Sequence, residues 1–67
     1  MVEFRIRIHP KYQCAYIPKE LAQMLGTEAC AIPARRGVFL YPKGANLKEV
    51  LRSLEVIRLD LEAEVIR

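Results

Sequence analysis

The sequence has 67 residues, of which 52% are hydrophobic, and a formal net charge of +3 at pH 7. A chain this short buries only about 60% of the surface that its unfolded form exposes, which excludes a large core and favours stabilisation by a second chain. A single His and two Cys without the spacing of metal ligands argue against a metal site, and no apolar run is long enough to cross a membrane.

The first predicted element is a strand. In VEFRIRIH, residues 2–9, apolar side chains alternate with polar or charged ones, so we expect one face of this strand to be buried. Pro10 cannot donate to a strand ladder, and residues 10–13 are therefore predicted to form a turn. CAYI, residues 14–17, predicts a second short strand that pairs with the first as a hairpin.

A short helix is predicted after this hairpin. Pro18 suits the first position of a helix, where its missing N–H costs nothing. Leu21, Met24 and Leu25 then form an apolar stripe at i, i+3 and i+4. Gly26 is the expected left-handed stop.

A second hairpin and a capped segment complete the predicted order. EACAIP predicts a third strand, ARRG a tight turn and VFLY a fourth strand, which Pro42 ends. Asn46 and Glu49 then form an N-x-x-E start, where the Asn side chain can cap a helix.

The tail fits two periodicities. One helical face would carry six apolar residues, namely Leu47, Val50, Leu51, Leu54, Ile57 and Leu61. Residues 57–65 also alternate as a strand would, but the cap and the high helix propensity of Leu, Glu and Ala favour a helix. A helical tail would have a second apolar stripe and would need two neighbours. That stripe comprises Val56, Leu59, Ala63 and Ile66.

The stretch YIPKELAQMLGTEA, residues 16–29, resembles the core signature of the AbrB/SpoVT/MazE-type swapped-hairpin domain. That signature is a short strand running into Ile-Pro, a short helix ending in Leu-Gly, and two more short strands. The resemblance implies a mainly β domain with a short helix, in which two chains interleave their hairpins into one barrel. We expect residues 1–44 to form this DNA-binding domain. Residues 45–67 would add a C-terminal amphipathic helix for oligomerisation or partner binding.

The resemblance also implies a homodimeric transcriptional regulator that contacts duplex DNA through its basic first strand and the following loop. The residues expected at the DNA are Arg5, Arg7, Lys11, Gln13 and Lys19. Arg7 lies eleven residues before the Pro that starts the helix, a position where family members typically have a basic residue. The chain departs from the family at Cys14, where many members carry Arg or Gln, and at Ala22 and Gln23, where bacterial regulators often carry paired Arg. These departures concern base readout and leave the electrostatic attraction in place.

The charges support the same interpretation without the resemblance. Residues 1–45 hold seven Lys and Arg against three acidic residues, whereas residues 46–67 hold four against five. A dimer would present two copies of Arg5, Arg7 and Lys11, and their contacts with phosphate would make binding dependent on salt. The alternative is that these residues form only the solvated polar face of an exposed strand. Arg35–Arg36 is predicted to be a solvated hairpin tip or else a flanking phosphate contact.

An enzyme is not expected, and no cofactor is implied. The sequence contains no Ser/His/Asp set, no plausible carboxylate pair and no Gly-rich phosphate loop. Without a signal peptide, we expect a cytoplasmic protein in which Cys14 and Cys30 are apolar strand residues, with a disulfide between them as the less favoured alternative.

A second class of function stays open. The chain could be an antitoxin that binds and inhibits a toxin nuclease through residues 47–67, laid into a groove of that toxin. In a regulator the same segment would pack within the assembly and could build tetramers. The six apolar residues of the predicted helical face are the candidate contacts in both cases.

Overall fold

A computed structural model of the chain describes residues 2–67. The strands form two separate antiparallel hairpins, with a short helix between them and a longer helix after the second. The elements in order are β1 (Ile8–His9), β2 (Cys14–Ala15), α1 (Lys19–Leu25), β3 (Ala29–Pro33), β4 (Val38–Pro42) and α2 (Leu47–Val65). The predicted order of elements is confirmed. The fold of the single chain is a mixture of helix and strand and not mainly β, because α2 alone has 19 residues and the longest strands have 5.

The first hairpin is short and ends in the predicted turn. Ile8 pairs with Ala15, and His9 pairs with Cys14. The N–H of Gln13 donates to the carbonyl oxygen of His9 at 2.9 Å, which closes the loop over residues 10–13. Gln13 has a φ of 53°, in the left-handed region that few residues other than Gly adopt.

Residues 2–7 lie outside the strands of the single chain, and their alternating apolar side chains are exposed. The predicted strand over residues 2–9 is therefore present only at Ile8 and His9. The predicted burial of one face is wrong for the single chain, because both of these residues are exposed. The physical reason is the length of the partner, because β2 has two residues and leaves residues 2–7 without a neighbouring strand. The alternation in sequence indicates that this segment can pair, but the single chain does not supply the partner.

Helix α1 ends at the predicted residue and begins one residue later than predicted. Pro18 is the N-cap, one residue before the helix, and the helix stops at Gly26. The N–H of Gly26 donates to the carbonyl oxygen of Ala22 at 3.0 Å. Leu21 and Leu25 are half-buried, whereas Met24 remains exposed, so only part of the predicted stripe is covered.

Gly26→Ala is expected to destabilise the fold by about 1–3 kcal/mol, because its φ of 75° and ψ of −149° belong to a region that is essentially restricted to Gly. A Cβ at this position meets no atom within 4 Å, so the cost comes from the backbone and not from a clash. The measurement is urea unfolding at a fixed chain concentration.

Gly37→Ala is the matched control for this change. Its Cβ would also meet no atom within 4 Å, and its φ is not positive. We expect it to be neutral or to stabilise by about 0.4–1 kcal/mol, because Ala reduces the freedom of the unfolded chain. Equal effects at both positions would contradict the assignment of Gly26 as the residue that allows α1 to end.

The second hairpin is longer and regular. Its register runs from Ala29 opposite Pro42 to Pro33 opposite Val38. At its tip the N–H of Ala34 donates to the carbonyl oxygen of Gly37 at 2.8 Å, which forms the predicted turn. At its open end Lys43 Nζ lies 2.8 Å from Glu28 Oε2. Both cysteines are free, so the less favoured disulfide does not form; Cys14 is exposed and Cys30 is half-buried.

Helix α2 includes the whole ambiguous segment, so the helix favoured for residues 57–65 is confirmed. The side-chain oxygen of Asn46 accepts a hydrogen bond from the N–H of Lys48 at 2.9 Å, as expected for a cap. Arg58 donates to both Glu55 and Glu62 along the helix. Hydrogen bonding to Glu55, the negative charge of Glu55 and hydrogen bonding to Glu62 raise the pKa of Arg58, in decreasing order of effect.

The single chain has almost no core. Within residues 2–67 the one buried side chain is Val50, which is 8% exposed. It borders an open groove of ≈ 370 Å³ between α1, β4 and the start of α2, whose walls include Leu25 and Phe39. No helix in the described part of the chain is both long enough and apolar enough to span a membrane.

The exposed area is large for a chain of this mass. The chain exposes 6575 Å². A compact monomer of 7.7 kDa exposes about 4,300 Å², so the surplus is about 2,200 Å². Exposed large apolar side chains lie on residues 2–8, on both hairpins and along α2. Folding of the single chain therefore leaves most of its large apolar side chains exposed.

Candidate nucleic-acid interface

The residues predicted to contact DNA lie on consecutive parts of the N-terminal region. Arg5 and Arg7 precede β1, Lys11 and Gln13 lie in the turn after it, and Lys19 is the first residue of α1. All five side chains are exposed. Four of the five thus belong to one hairpin and its N-terminal extension, and Lys19 follows on the next element.

The turn of the first hairpin holds its side chains in an ordered arrangement. The rings of His9 and Tyr12 lie with their centroids 4.7 Å apart, and the N–H of Tyr12 donates to His9 Nδ1 at 3.3 Å. Because Nδ1 accepts this bond, the proton of a neutral His9 ring is on Nε2. Lys11 Nζ lies 5.5 Å from the centroid of the Tyr12 ring, within the range of a cation–π contact. The ammonium group of Lys11 is therefore presented at the tip of the hairpin on an aromatic support.

Sequence reasoning did not identify Tyr12 as part of the site. His9 was likewise not among the residues predicted to lie at the DNA. The signal that could have identified both is the i, i+3 spacing of two rings across a turn that contains Pro10, because such a turn brings the two ends close together.

One face of the same hairpin forms an open groove of ≈ 490 Å³. Arg7 stands at its edge, and Ile8, Ala15 and Tyr16 contribute apolar surface. His9, Pro10 and Cys14 complete the lining. A guanidinium group beside an uncovered apolar surface can bind a phosphate while the apolar surface is covered by another strand or by a second chain.

The basic side chains differ in whether the chain neutralises them. Arg52 and Arg58 in α2, and Arg67 just after it, each lie within 4.0 Å of a carboxylate oxygen of α2, whereas Lys48 has no such partner among residues 2–67. Lys43 is paired with Glu28. No such pair forms, within residues 2–67, at six basic positions before α2: Arg5, Arg7, Lys11, Lys19, Arg35 and Arg36. The positive charge of the N-terminal region is therefore available to an external anion.

The tip of the second hairpin offers a second basic site. Arg35 and Arg36 are exposed in the turn between β3 and β4. Because these residues are also free of ion pairs in the described part of the chain, charge alone does not distinguish the two hairpins. The first hairpin differs in having an aromatic support for its lysine and an apolar groove beside Arg7.

The six residues predicted for oligomerisation or partner binding separate into three groups. Val50 is buried within its own chain. Leu47 and Leu51 are exposed near the start of α2. Three others line an open groove of ≈ 630 Å³ along the second half of the helix, which we call the distal groove: Leu54, Ile57 and Leu61, together with Arg58, Glu62, Val65 and Ile66.

The predicted second stripe of α2 is incomplete. Val56, Leu59 and Ala63 are exposed, and residues 2–67 of the single chain do not supply the neighbour that this stripe was predicted to need. Ile66, however, is the C-cap residue and lines the distal groove. Ile66 still donates its N–H to the carbonyl oxygen of Glu62, four residues earlier, so it keeps its helical position and lies between the second stripe and the distal groove.

A search for metal-binding groups in the described part of the chain and comparisons with known proteins were both negative. Among residues 2–67, no three His, Cys, Asp or Glu side chains form a group that could hold a metal ion. Comparisons of the chain with protein-family models, with curated proteins and with solved structures found no match, so the candidate interface is defined by this chain's own geometry and charge.

Proposed function

We propose that the chain is a dimeric DNA-binding transcriptional regulator that resembles the AbrB/SpoVT/MazE-type swapped-hairpin proteins. Two copies interleave their hairpins into one barrel and contact duplex DNA through the basic first strand and its turn. The observation that carries this proposal is the set of exposed basic residues before α2 that have no carboxylate partner within the described residues. Duplex DNA is the polyanion whose charge density suits such a surface.

The need for a second copy follows from the uncovered apolar surface. Residues 2–7 alternate as a strand would and have no neighbouring strand, and the groove beside Arg7 is open. Pairing of this segment with a second copy would satisfy its backbone groups and cover its apolar face in one step. The surplus of about 2,200 Å² per chain exceeds the roughly 800 Å² that each partner buries in a standard interface, so the chain has enough exposed surface for such a dimer.

The contact with DNA is proposed to be mainly electrostatic. Arg5, Arg7 and Lys11 supply positive charge on the hairpin, and the dimer presents each of them twice. Arg can also bind a guanine edge through two hydrogen bonds, whereas Lys supplies charge without that geometry. A two-fold symmetric dimer would favour a DNA site in which the two halves are inverted repeats.

Selection from a random pool of duplexes tests this function. A regulator of this type is expected to enrich an inverted repeat, and its affinity is expected to fall steeply with salt. Enrichment without any common sequence would contradict sequence-specific regulation, and a lack of binding at low salt would contradict DNA binding altogether.

The melting midpoint is expected to rise with protein concentration, because a chain with one buried side chain among residues 2–67 depends on a second copy for its stability. Differential scanning calorimetry over a wide range of chain concentrations measures this dependence. A midpoint independent of concentration, together with a monomer mass in solution, would exclude the interleaved dimer.

A further inference from the structure

The distal groove of α2 is an uncovered apolar surface that DNA binding does not use. Leu54, Ile57, Leu61 and Val65 follow one another at spacings of three or four residues, so their side chains form one continuous helical face. Leu54 is 37% exposed and Val65 is 82% exposed, so exposure increases towards the end of the helix. The groove is therefore an unpartnered surface about three turns long.

The two charged residues that line this groove, Arg58 and Glu62, are paired with each other. Arg58, which lines the groove, donates to Glu55 and to Glu62, and Glu62 lines the groove as well. An interface between identical copies places two sets of the same charges close together, which costs free energy when those charges are unpaired. Arg58 and Glu62, the charged residues that line the groove, form a pair of opposite sign, which lowers this cost and suits a second copy. The basic residues of the first hairpin and its extension, by contrast, have no carboxylate partner among residues 2–67, so that surface suits a polyanion.

The exposed area allows more than one contact between copies. A standard interface covers about 800 Å² on each partner, and the surplus surface of about 2,200 Å² per chain exceeds this more than twofold. Pairing through the first hairpin would therefore leave enough apolar surface on α2 for a second contact.

We propose that the distal groove of α2 receives the distal groove of a second copy, so that the two helices pair along the face formed by Leu54, Ile57, Leu61 and Val65. This inference does not depend on DNA binding, since no residue of the groove belongs to the basic hairpin. It assigns to α2 the role of a second surface through which the chain associates with itself.

Cysteine cross-linking of the full chain tests this proposal. In a Cys14→Ser/Cys30→Ser background, Leu61→Cys places a thiol in the groove. Asp60→Cys is the matched control, because it places the same thiol at the adjacent position, about 100° around the helix. A short bismaleimide reagent is expected to give several-fold more product of twice the 7.7 kDa chain mass from Leu61→Cys than from Asp60→Cys.

Circular dichroism and duplex binding on the same samples separate the outcomes. If Leu61→Cys lowers the helix signal, Val65→Cys replaces it, because that position lies in the groove and is largely exposed. A folded groove variant that cross-links no more than the control would overturn the proposal, and the groove would then be the surface for a different protein, such as a toxin. Cross-linking without duplex binding would support helix pairing while contradicting the DNA-binding function.

Discussion

Arg7→Ala is expected to weaken duplex binding about tenfold and to lower the slope of log affinity against log salt by roughly 2, since each dimer would lose two phosphate contacts. The reason is that Arg7 is exposed, has no carboxylate partner among residues 2–67 and stands beside the groove of the first hairpin. Fluorescence anisotropy of a labelled duplex at several salt concentrations measures both quantities.

Two control variants show whether the effect belongs to this arginine. Arg52→Ala removes the same charge from a side chain that already lies 3.8 Å from Glu49, so we expect little change in binding. Arg35→Ala/Arg36→Ala removes two charges from the tip of the second hairpin and is expected to do less than Arg7→Ala. If the change at that tip is the more damaging, the DNA lies against the second hairpin instead of the first.

Leu54→Ala is expected to destabilise the assembled protein by about 2–5 kcal/mol, which is the usual cost of removing a well-buried leucine side chain. In the single chain Leu54 is 37% exposed, so a cost of this size arises only if a second copy covers the distal groove. Urea unfolding followed by circular dichroism, at one fixed chain concentration, gives the difference in free energy of unfolding.

Leu47→Ala is the matched control on the same helix. Leu47 is 70% exposed and does not line the distal groove, so its truncation is expected to change stability by no more than about 0.5 kcal/mol. A small effect at both leucines would mean that the groove stays open to solvent in the assembly, which contradicts helix pairing.

The parts of the fold that could be predicted from sequence depend on short-range signals. The loop over residues 10–13, the stop at Gly26 and the cap at Asn46 each require only a few neighbouring residues, and all three are present. The periodicity of residues 57–65 fits both a helix and a strand, but helix propensity and the cap favour a helix, and a helix is present. These features are local, so the same physical preferences act in the sequence and in the folded chain.

The parts that could not be predicted depend on which surfaces meet. Alternation at residues 2–9 indicates a strand, but it does not say which strand pairs with it, and the single chain supplies a partner only for Ile8 and His9. The presence of Arg7 is visible in the sequence, whereas its lack of a carboxylate partner depends on where the glutamates lie in space. Ile66 follows Leu59 by seven residues and Glu62 by four, so its spacing alone does not decide whether it lies with the second stripe or in the distal groove.

The near absence of a core in the single chain has a consequence for how the protein is maintained in a cell. Val50 alone is buried among the described residues, so in the proposed dimer a newly synthesised chain would be only weakly stabilised until it met another copy. Its folding is then a second-order process, and an unpaired chain remains open to proteases. For such a dimer, slow synthesis would favour degradation before pairing, and the amount of folded protein would rise more steeply than the rate of synthesis.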